Sequence, residues 1–234
     1  MYFFKYIIVK LPIICLFFYI YSMEIMLQLQ QFANQPIPHF LLVNLLEGYK
    51  NPNDKIYDLT KAGYLESIKK GLYILGPKLS NTTPEPFLVA NQIYGPSYIS
   101  MESALAFYGM IPERVYGISS VTTKPSKEFK NSMGTFSFTH LPIPYYSFGI
   151  VSFEIAPQQN ILIASREKAL TDKIITSRGL NLRSIISTRE YLVGNLRIEV
   201  SDLEELDLEI IEGWIPYCPK RNNIKLLIKT LKNL

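Results

Sequence analysis

Cysteine and histidine are scarce in this sequence of 234 residues, and their scarcity argues against several kinds of site. The two cysteines, Cys15 and Cys218, lie far apart in unlike surroundings, so we expect no disulfide framework and a reducing compartment, the cytoplasm. The two histidines, His39 and His140, are not paired at metal-ligand spacing, and no CxxC motif occurs, so a structural zinc site is not expected. The formal net charge of +4 permits an anionic partner such as a nucleic acid but does not require one.

A long uninterrupted apolar run is missing as well. Lys5 and Lys10 interrupt the hydrophobic leader, and the clean stretch 11–21 is too short to cross about 30 Å of hydrocarbon. No small-x-small cleavage site follows it. Three interpretations of the leader stay open: a protein that in fact begins at Met23 or Met26, a membrane anchor, and a signal peptide or extra helix.

Changes in composition divide the chain into four parts. Residues 1–25 are the leader, and residues 26–78 are mainly helical and end in two β-like runs. Residues 79–86 are a linker within the stretch "GPKLSNTTPEP", which is rich in residues that break regular structure. Residues 87–234 mix helical and β-like segments without the βαβ regularity of a parallel sheet, so the predicted fold class is α+β.

The second part has the pattern of a winged helix-turn-helix. Two helical segments, 26–35 and 36–49, precede a third helix that begins at Asn51 as its N-cap, with Pro52 at its first position. Two short β-like runs follow and are joined by the basic turn Lys69-Lys70-Gly71, in which glycine suits a positive φ. A helix of this kind can enter a major groove while the turn contacts the flanking phosphates.

The third helix has an apolar side, formed by Ile56 and Leu59, and an opposite polar side. The residues predicted to contact DNA are Asn51, Asn53, Lys55, Tyr57, Asp58, Lys61, Lys69 and Lys70. Residues 47–77 carry five lysines against four acids, which is a weak basic footprint. A second use of this unit, as a dimer or protein contact, therefore stays open.

The last part is predicted to contain helices and strands in alternation. The predicted strands are 117–124, 134–141, 147–155, 160–164 and 196–200. The predicted helices are 87–94, one capped by Ser100 that ends at Gly109, one capped by Ser165 that ends at Gly179, 185–192, the acidic 202–213 and the basic 222–234. Within the Ser100 helix the expected buried stripe is Ala104, Leu105, Phe107 and Tyr108. The polar run 119–124 predicts an exposed strand edge, with an anion pocket as the alternative.

Three segments together resemble the AbiEi family of antitoxins, which are transcriptional regulators of phage-defence systems. The segments are "YKNPNDKIYDLTKAGYLESIKKGLYIL", "LVANQIYGPSYISMESALAFYGMIPERVYGISSVTTK" and "ILIASREKALTDKI". The similarity runs from about Leu27 to the C-terminus, and the middle segment is its most specific part.

The resemblance implies a function for each domain. The N-terminal winged helix would bind inverted repeats in the promoter of its own operon and repress it, and the C-terminal domain would carry the antitoxin activity. The partner would be an AbiEii-like nucleotidyltransferase toxin in an abortive-infection pair, classed as type IV when the two proteins do not bind each other. A protein-interaction antitoxin that binds its toxin directly is the alternative, with the winged helix as a scaffold or homodimer contact.

Catalysis is not expected, because the acidic residues do not follow the strand-borne D/E-x-K order of a metal-dependent nuclease. Glu167 lies near the N-terminus of a predicted helix, where its negative charge interacts favourably with the helix dipole. Lys168 and Asp172 are four residues apart and are predicted to pair. We therefore expect no enzyme, no metal and no cofactor. The residues suggested to face a protein partner are Glu102, Ser103 and Lys124.

Overall fold

The computed structural model describes residues 23–113 and 115–234, so the interpretations of the leader concern residues outside the described ones. The described residues form a mixed α+β structure, and they divide into two compact units, the first ending at Thr83 and the second spanning Pro84–Leu234. The division falls within the segment predicted as a linker. In the described part of the chain, no helix is both long and apolar enough to cross a membrane.

The first unit contains three helices and a small antiparallel sheet among its described residues. Its helices are residues 23–30 (α1), His39–Leu45 (α2) and Pro52–Lys61 (α3). Its strands are Ile37–Pro38 (β1), Leu65–Lys69 (β2) and Leu72–Leu75 (β3), in the order β1-β3-β2. The short strand β1 was not predicted. Ile37 lies opposite Tyr73 of β3, so β1 adds a third strand to the predicted hairpin.

The core of the first unit is built from one apolar side of each helix and the inner face of the sheet. Its fully buried side chains include Leu29 of α1, Leu42 of α2 and Leu65 of β2. Ile56 and Leu59 of α3 are 3 % exposed, as their spacing predicts. The opposite side of α3 must therefore face away from this core.

The second unit is organised around a six-stranded mixed sheet. Its strands are Ser97–Ile99 (β4), Ile118–Thr122 (β5), Lys127–Asn131 (β6), Gly134–His140 (β7), Ile150–Ala156 (β8) and Gln159–Ala164 (β9). The strand order is β6-β7-β5-β4-β9-β8. β4 runs parallel to β9 and β5 runs parallel to β7, and the other neighbouring pairs are antiparallel.

Helices of this unit lie before β4, between β4 and β5, and after β9 in the chain. They are Pro86–Ile93 (α4), Met101–Phe107 (α5), Arg166–Thr176 (α6), Ile185–Arg189 (α7), Val200–Glu204 (α8), Leu208–Trp214 (α9) and Arg221–Leu231 (α10). A π-helical turn, Glu190–Asn195, continues α7. The caps and stops predicted at Ser165 and Gly109 are confirmed: the Ser165 side chain accepts from the Lys168 N–H, and Gly109 has a φ of 73°.

Some predictions for the second unit are wrong. The polar run 119–124 is not an exposed edge, because β5 lies between β4 and β7 and buries Ser119, Ser120 and Thr122. Residues 196–200 are not a strand, because their backbone turns back on the π-helical turn: the Ile198 N–H donates to the Leu192 carbonyl at 3.0 Å.

The predicted acidic helix 202–213 is two helices, α8 and α9. Asp207 interrupts it, because its carboxylate accepts from the Glu209 and Ile210 N–H groups and starts α9. Two strands, β4 and β6, were also missed. β4 has only three residues, and β6, "KEFKN", does not alternate between apolar and polar residues as a half-buried strand does.

Gly149, just before β8, occupies a site that only glycine fits. Its φ is 60°, and a Cβ there would lie 2.8 Å from the Cβ of Lys168 and 2.8 Å from a ring carbon of Trp214. Gly179 has a similar φ of 73° but open space around it. The same substitution at the two glycines therefore separates the cost of backbone strain from the cost of crowding.

Gly149→Ala is expected to lower the free energy of unfolding more than Gly179→Ala, as measured by urea denaturation. The Gly179 variant carries only the left-handed backbone cost of about 1 kcal/mol. The Gly149 variant adds the cost of overpacking, about 1–3 kcal/mol more. Equal losses for the two variants would contradict the close packing of Gly149 on Lys168 and Trp214.

Candidate functional site

The helix α3 begins as predicted but is capped differently. Asn51 is at the N-cap position and Pro52 is the first helical residue. The Asn51 side chain does not accept from the helix backbone; instead its amide donates to the Asp54 carboxylate at 3.0 Å. The helix ends before Gly63, which has a φ of 80°. Local sequence signals therefore fix both ends of the helix predicted to meet DNA.

Asn53, Tyr57 and Lys61 form one row on the exposed side of α3. They are four residues apart, so they follow one another along one helical face at intervals of about 6 Å. All three are exposed, and Tyr57 is 66 % exposed although it is aromatic. This row, called the α3 row below, combines an amide, a phenol and an ammonium group that can hydrogen-bond to base edges.

A second row on the same helix is acidic. Asp54 and Asp58 are both exposed and lie beside the α3 row. The other predicted residue, Lys55, is half-buried, and its ammonium lies 4.9 Å from the centre of the Tyr49 ring. The predicted DNA contacts on α3 therefore fall into the α3 row, which carries no negative charge, and an acidic row. Lys55 lies at the edge of the exposed side of the helix.

The lysine turn lies between β2 and β3, as predicted. Gly71 has a φ of 82°, and its carbonyl accepts from the His39 N–H at 2.9 Å, which ties the turn to the start of α2. Lys70 is exposed and Lys69 is half-buried. Beside this attachment Phe40 is 67 % exposed, which was not predictable because Phe40 fits the apolar pattern of α2.

The charge of this unit is close to balanced. Residues 23–83 contain six lysines, five acidic residues and no arginine, so their formal net charge is 6 − 5 = +1. A binding surface here depends on where its lysines lie rather than on a strong overall field. Lys61 and Lys70 are its exposed cations in the α3 row and the turn.

The three residues suggested to face a protein partner have different surroundings. Ser103 is 3 % exposed and its hydroxyl donates to the Gly117 carbonyl at 3.3 Å, so it cannot face a partner, and that suggestion is wrong. Glu102 forms an ion pair with Lys173 and is half-buried. Lys124 is exposed, with its ammonium 5.3 Å from the centre of the Tyr94 ring.

The predicted pair Lys168–Asp172 exists, but it is in the core of the second unit. Both side chains are 0 % exposed, and the Lys168 Nζ lies 3.0 Å from the Asp172 Oδ1. The other carboxylate oxygen accepts from the Tyr98 hydroxyl at 2.8 Å and from the Ser100 hydroxyl at 2.7 Å. Ser100 was predicted to cap α5; its position is the N-cap, but its hydroxyl serves the buried carboxylate instead.

The ammonium group of Lys168 is enclosed by aromatic residues. It donates to the Tyr145 carbonyl at 2.9 Å and lies 3.3 Å from the centre of the Tyr145 ring. The Trp214 ring lies farther away, at 5.9 Å. Burial lowers the pKa of Lys168, and the neighbouring Asp172 carboxylate opposes that effect.

The polar groups around the pair are held in their protonated forms. Burial, together with the Asp172 charge, raises the pKa of Tyr98 and of Tyr145. Burial likewise raises the pKa of the Cys218 thiol to about 11. A sealed ion pair surrounded by protonated groups has no exposed atom for a substrate to reach, so its direct role is to join α6 to the sheet.

Comparison with protein-family models found no match for this chain, and a search of curated proteins found no protein similar to it. The resemblance to AbiEi antitoxins, carried by the quoted segments, therefore stays a prediction. The candidate site rests on the geometry of α3 and the lysine turn.

Asp172→Ala is expected to lower the free energy of unfolding by about 3–5 kcal/mol, because it leaves the Lys168 charge buried without its partner. Lys168→Met combined with Asp172→Leu is expected to recover most of that loss. Asp202→Ala is the control: Asp202 lies 4.0 Å from Arg166 in a partly exposed pair, which is worth about 1 kcal/mol or less. Urea denaturation of all three proteins checks this, and a loss below about 1 kcal/mol for Asp172→Ala would contradict the burial of the pair.

Proposed function

We propose that this protein is a DNA-binding transcriptional autorepressor that acts as the antitoxin of an abortive-infection pair. Its DNA would be the double-stranded promoter of its own operon, and its toxin a nucleotidyltransferase of the AbiEii kind. A repressor acts where the DNA lies, so we propose the cytoplasm as its location. It follows the family resemblance, which implies DNA binding for the first unit and antitoxin activity for the second.

The observation that supports DNA binding best is the exposed α3 row beside an exposed lysine turn. The order of elements, three helices followed by a β-hairpin with β1 as its third strand, is the order of a winged helix-turn-helix. In that arrangement the third helix enters the major groove and the hairpin turn lies along the backbone. The exposed side chains of α3 and Lys70 are of the types that such contacts need.

Lys69→Ala combined with Lys70→Ala is expected to weaken binding to every duplex tested. Each lost phosphate contact reduces the slope of log affinity against log salt concentration by about 1, so the double variant should lose about 2. Fluorescence anisotropy with the upstream DNA, measured at several salt concentrations, gives this slope.

Lys225→Ala combined with Lys229→Ala is the matched control, since both lysines are exposed on α10 of the other unit. It should leave the slope unchanged. If the control lowered the slope and the turn variant did not, the turn would not be the phosphate contact. If the folded wild-type protein at micromolar concentration bound no duplex at modest salt, the repressor proposal would fail.

A direct protein-binding antitoxin is the second candidate, and a groove in the second unit favours it. The groove measures about 500 Å³ and is lined by α7, the π-helical turn and the end of α10. Ile186 at its wall is 80 % exposed, and Val193 is 37 % exposed. Exposed aliphatic side chains beside a groove are typical of protein contacts.

Ile186→Asp should abolish co-purification of the toxin with the full chain if this second candidate is right. Ile143→Asp is the control, because Ile143 is 69 % exposed but lies outside the groove. Neutralisation of the toxin that persists in the Ile186 variant, without any complex, would instead support an antitoxin that acts without contact.

A further inference from the structure

The α3 row offers guanine only one of its usual partners, Lys61, which is the last residue of the helix. Guanine presents two acceptors, N7 and O6, in the major groove, and arginine or lysine is its usual partner. The first arginine of the sequence is at position 114, so the first unit has none among its described residues. The acidic row, Asp54 and Asp58, is made of acceptors, which can accept from the amino groups of adenine and cytosine but have no donor for N7 and O6 of guanine.

We infer that α3 recognises A·T base pairs in the major groove, with Asn53 contacting an adenine and Tyr57 contacting a thymine. The inference rests on the proposed DNA-binding function and deepens it by naming the kind of base pair. It makes Asn53 and Tyr57 the residues that determine specificity, and it gives the lysines a role that does not depend on base identity.

Asn53 has the geometry that adenine requires. An amide both donates and accepts, so it can bond to the adenine N6 amino group and N7 together. Asn53 is exposed, and its amide has no partner among the described residues of the unit. The other asparagine at this end of the helix, Asn51, already donates its amide to Asp54 and is therefore less suited to a two-bond contact.

Tyr57 follows Asn53 by one helical turn. The two Cα atoms are about 6 Å apart along the axis, which is close to two base-pair steps of about 3.4 Å. An exposed ring gains by covering the methyl group of thymine, the one apolar group that a base edge presents in the major groove. Lys61 is one turn further along, where its ammonium can reach a phosphate.

The test starts from the full chain and a pool of duplexes with a randomised central segment. Rounds of binding and recovery at fixed salt should enrich A·T pairs over a run of at least two or three neighbouring positions. Anisotropy on a recovered duplex then compares unmodified DNA with two versions of it. In one, uracil replaces thymine and removes the methyl group; in the other, 7-deazaadenine replaces adenine and removes the N7 acceptor.

Each modified base should weaken DNA binding by the wild-type protein but should not weaken binding by one of the variants. The 7-deazaadenine duplex should bind wild type roughly 2- to 13-fold more weakly, the range for loss of one of the two hydrogen bonds, and should not further weaken Asn53→Ala. The uracil duplex should bind wild type more weakly than the unmodified duplex and should not further weaken Tyr57→Ala, which lacks the ring that covers the methyl group. Asn44→Ala is the control, because Asn44 is exposed on α2 rather than α3; circular dichroism melting of each variant verifies folding.

Three results would overturn the inference. Enrichment of G·C pairs, binding without any enrichment, and equal sensitivity of wild type and variants to the modified bases each contradict it while leaving DNA binding intact. Failure of the folded wild-type protein to retain any duplex would remove the inference together with the repressor proposal, so the two failures are distinguishable.

Discussion

The burial of Ile56 and Leu59 in the core of the first unit decides which side of α3 meets solvent. Because both side chains are 3 % exposed, the rotation of the helix about its axis is fixed, and Asn53, Tyr57 and Lys61 must point outward. The backbone bond from His39 to Gly71 then holds the lysine turn against α2. Because the apolar side of α3 packs in the core, its polar side faces solvent. The proposed DNA contact uses that polar side.

The second unit depends on a different constraint, the enclosure of one ion pair. Lys168 and Asp172 stabilise the fold only because Tyr98, Ser100 and the Tyr145 carbonyl supply hydrogen bonds in place of water. These partners come from β4, from the start of α5 and from the turn before β8, so the pair joins distant parts of the chain. A buried pair with this many partners favours a single arrangement of α6 on the sheet.

Local signals in the sequence predicted the parts of the fold that local chemistry determines. The ends of α3, the Ser165 cap and the stop at Gly109 all depend on residues within one turn of each other. The pairing of Lys168 with Asp172 was predictable from their spacing, but its burial was not, because Tyr98 lies about seventy residues earlier in the sequence. Ser103 was assigned wrongly for a similar reason: it is buried by contacts with β5, 16 residues away in sequence. The exposed side of α3 was predictable; the bond between Asn51 and Asp54, which separates the two asparagines, was not.

Lysine acetylation with and without duplex DNA, followed by mass spectrometry, tests whether α3 and the lysine turn contact DNA. Every exposed lysine of the folded protein reports on its own surroundings in one measurement. We expect DNA to protect Lys61 and Lys70 from acetylation and to leave Lys225 and Lys229 as reactive as before. Protection of the α10 lysines, with Lys61 and Lys70 still reactive in the bound protein, would show that DNA binds elsewhere and would contradict the account.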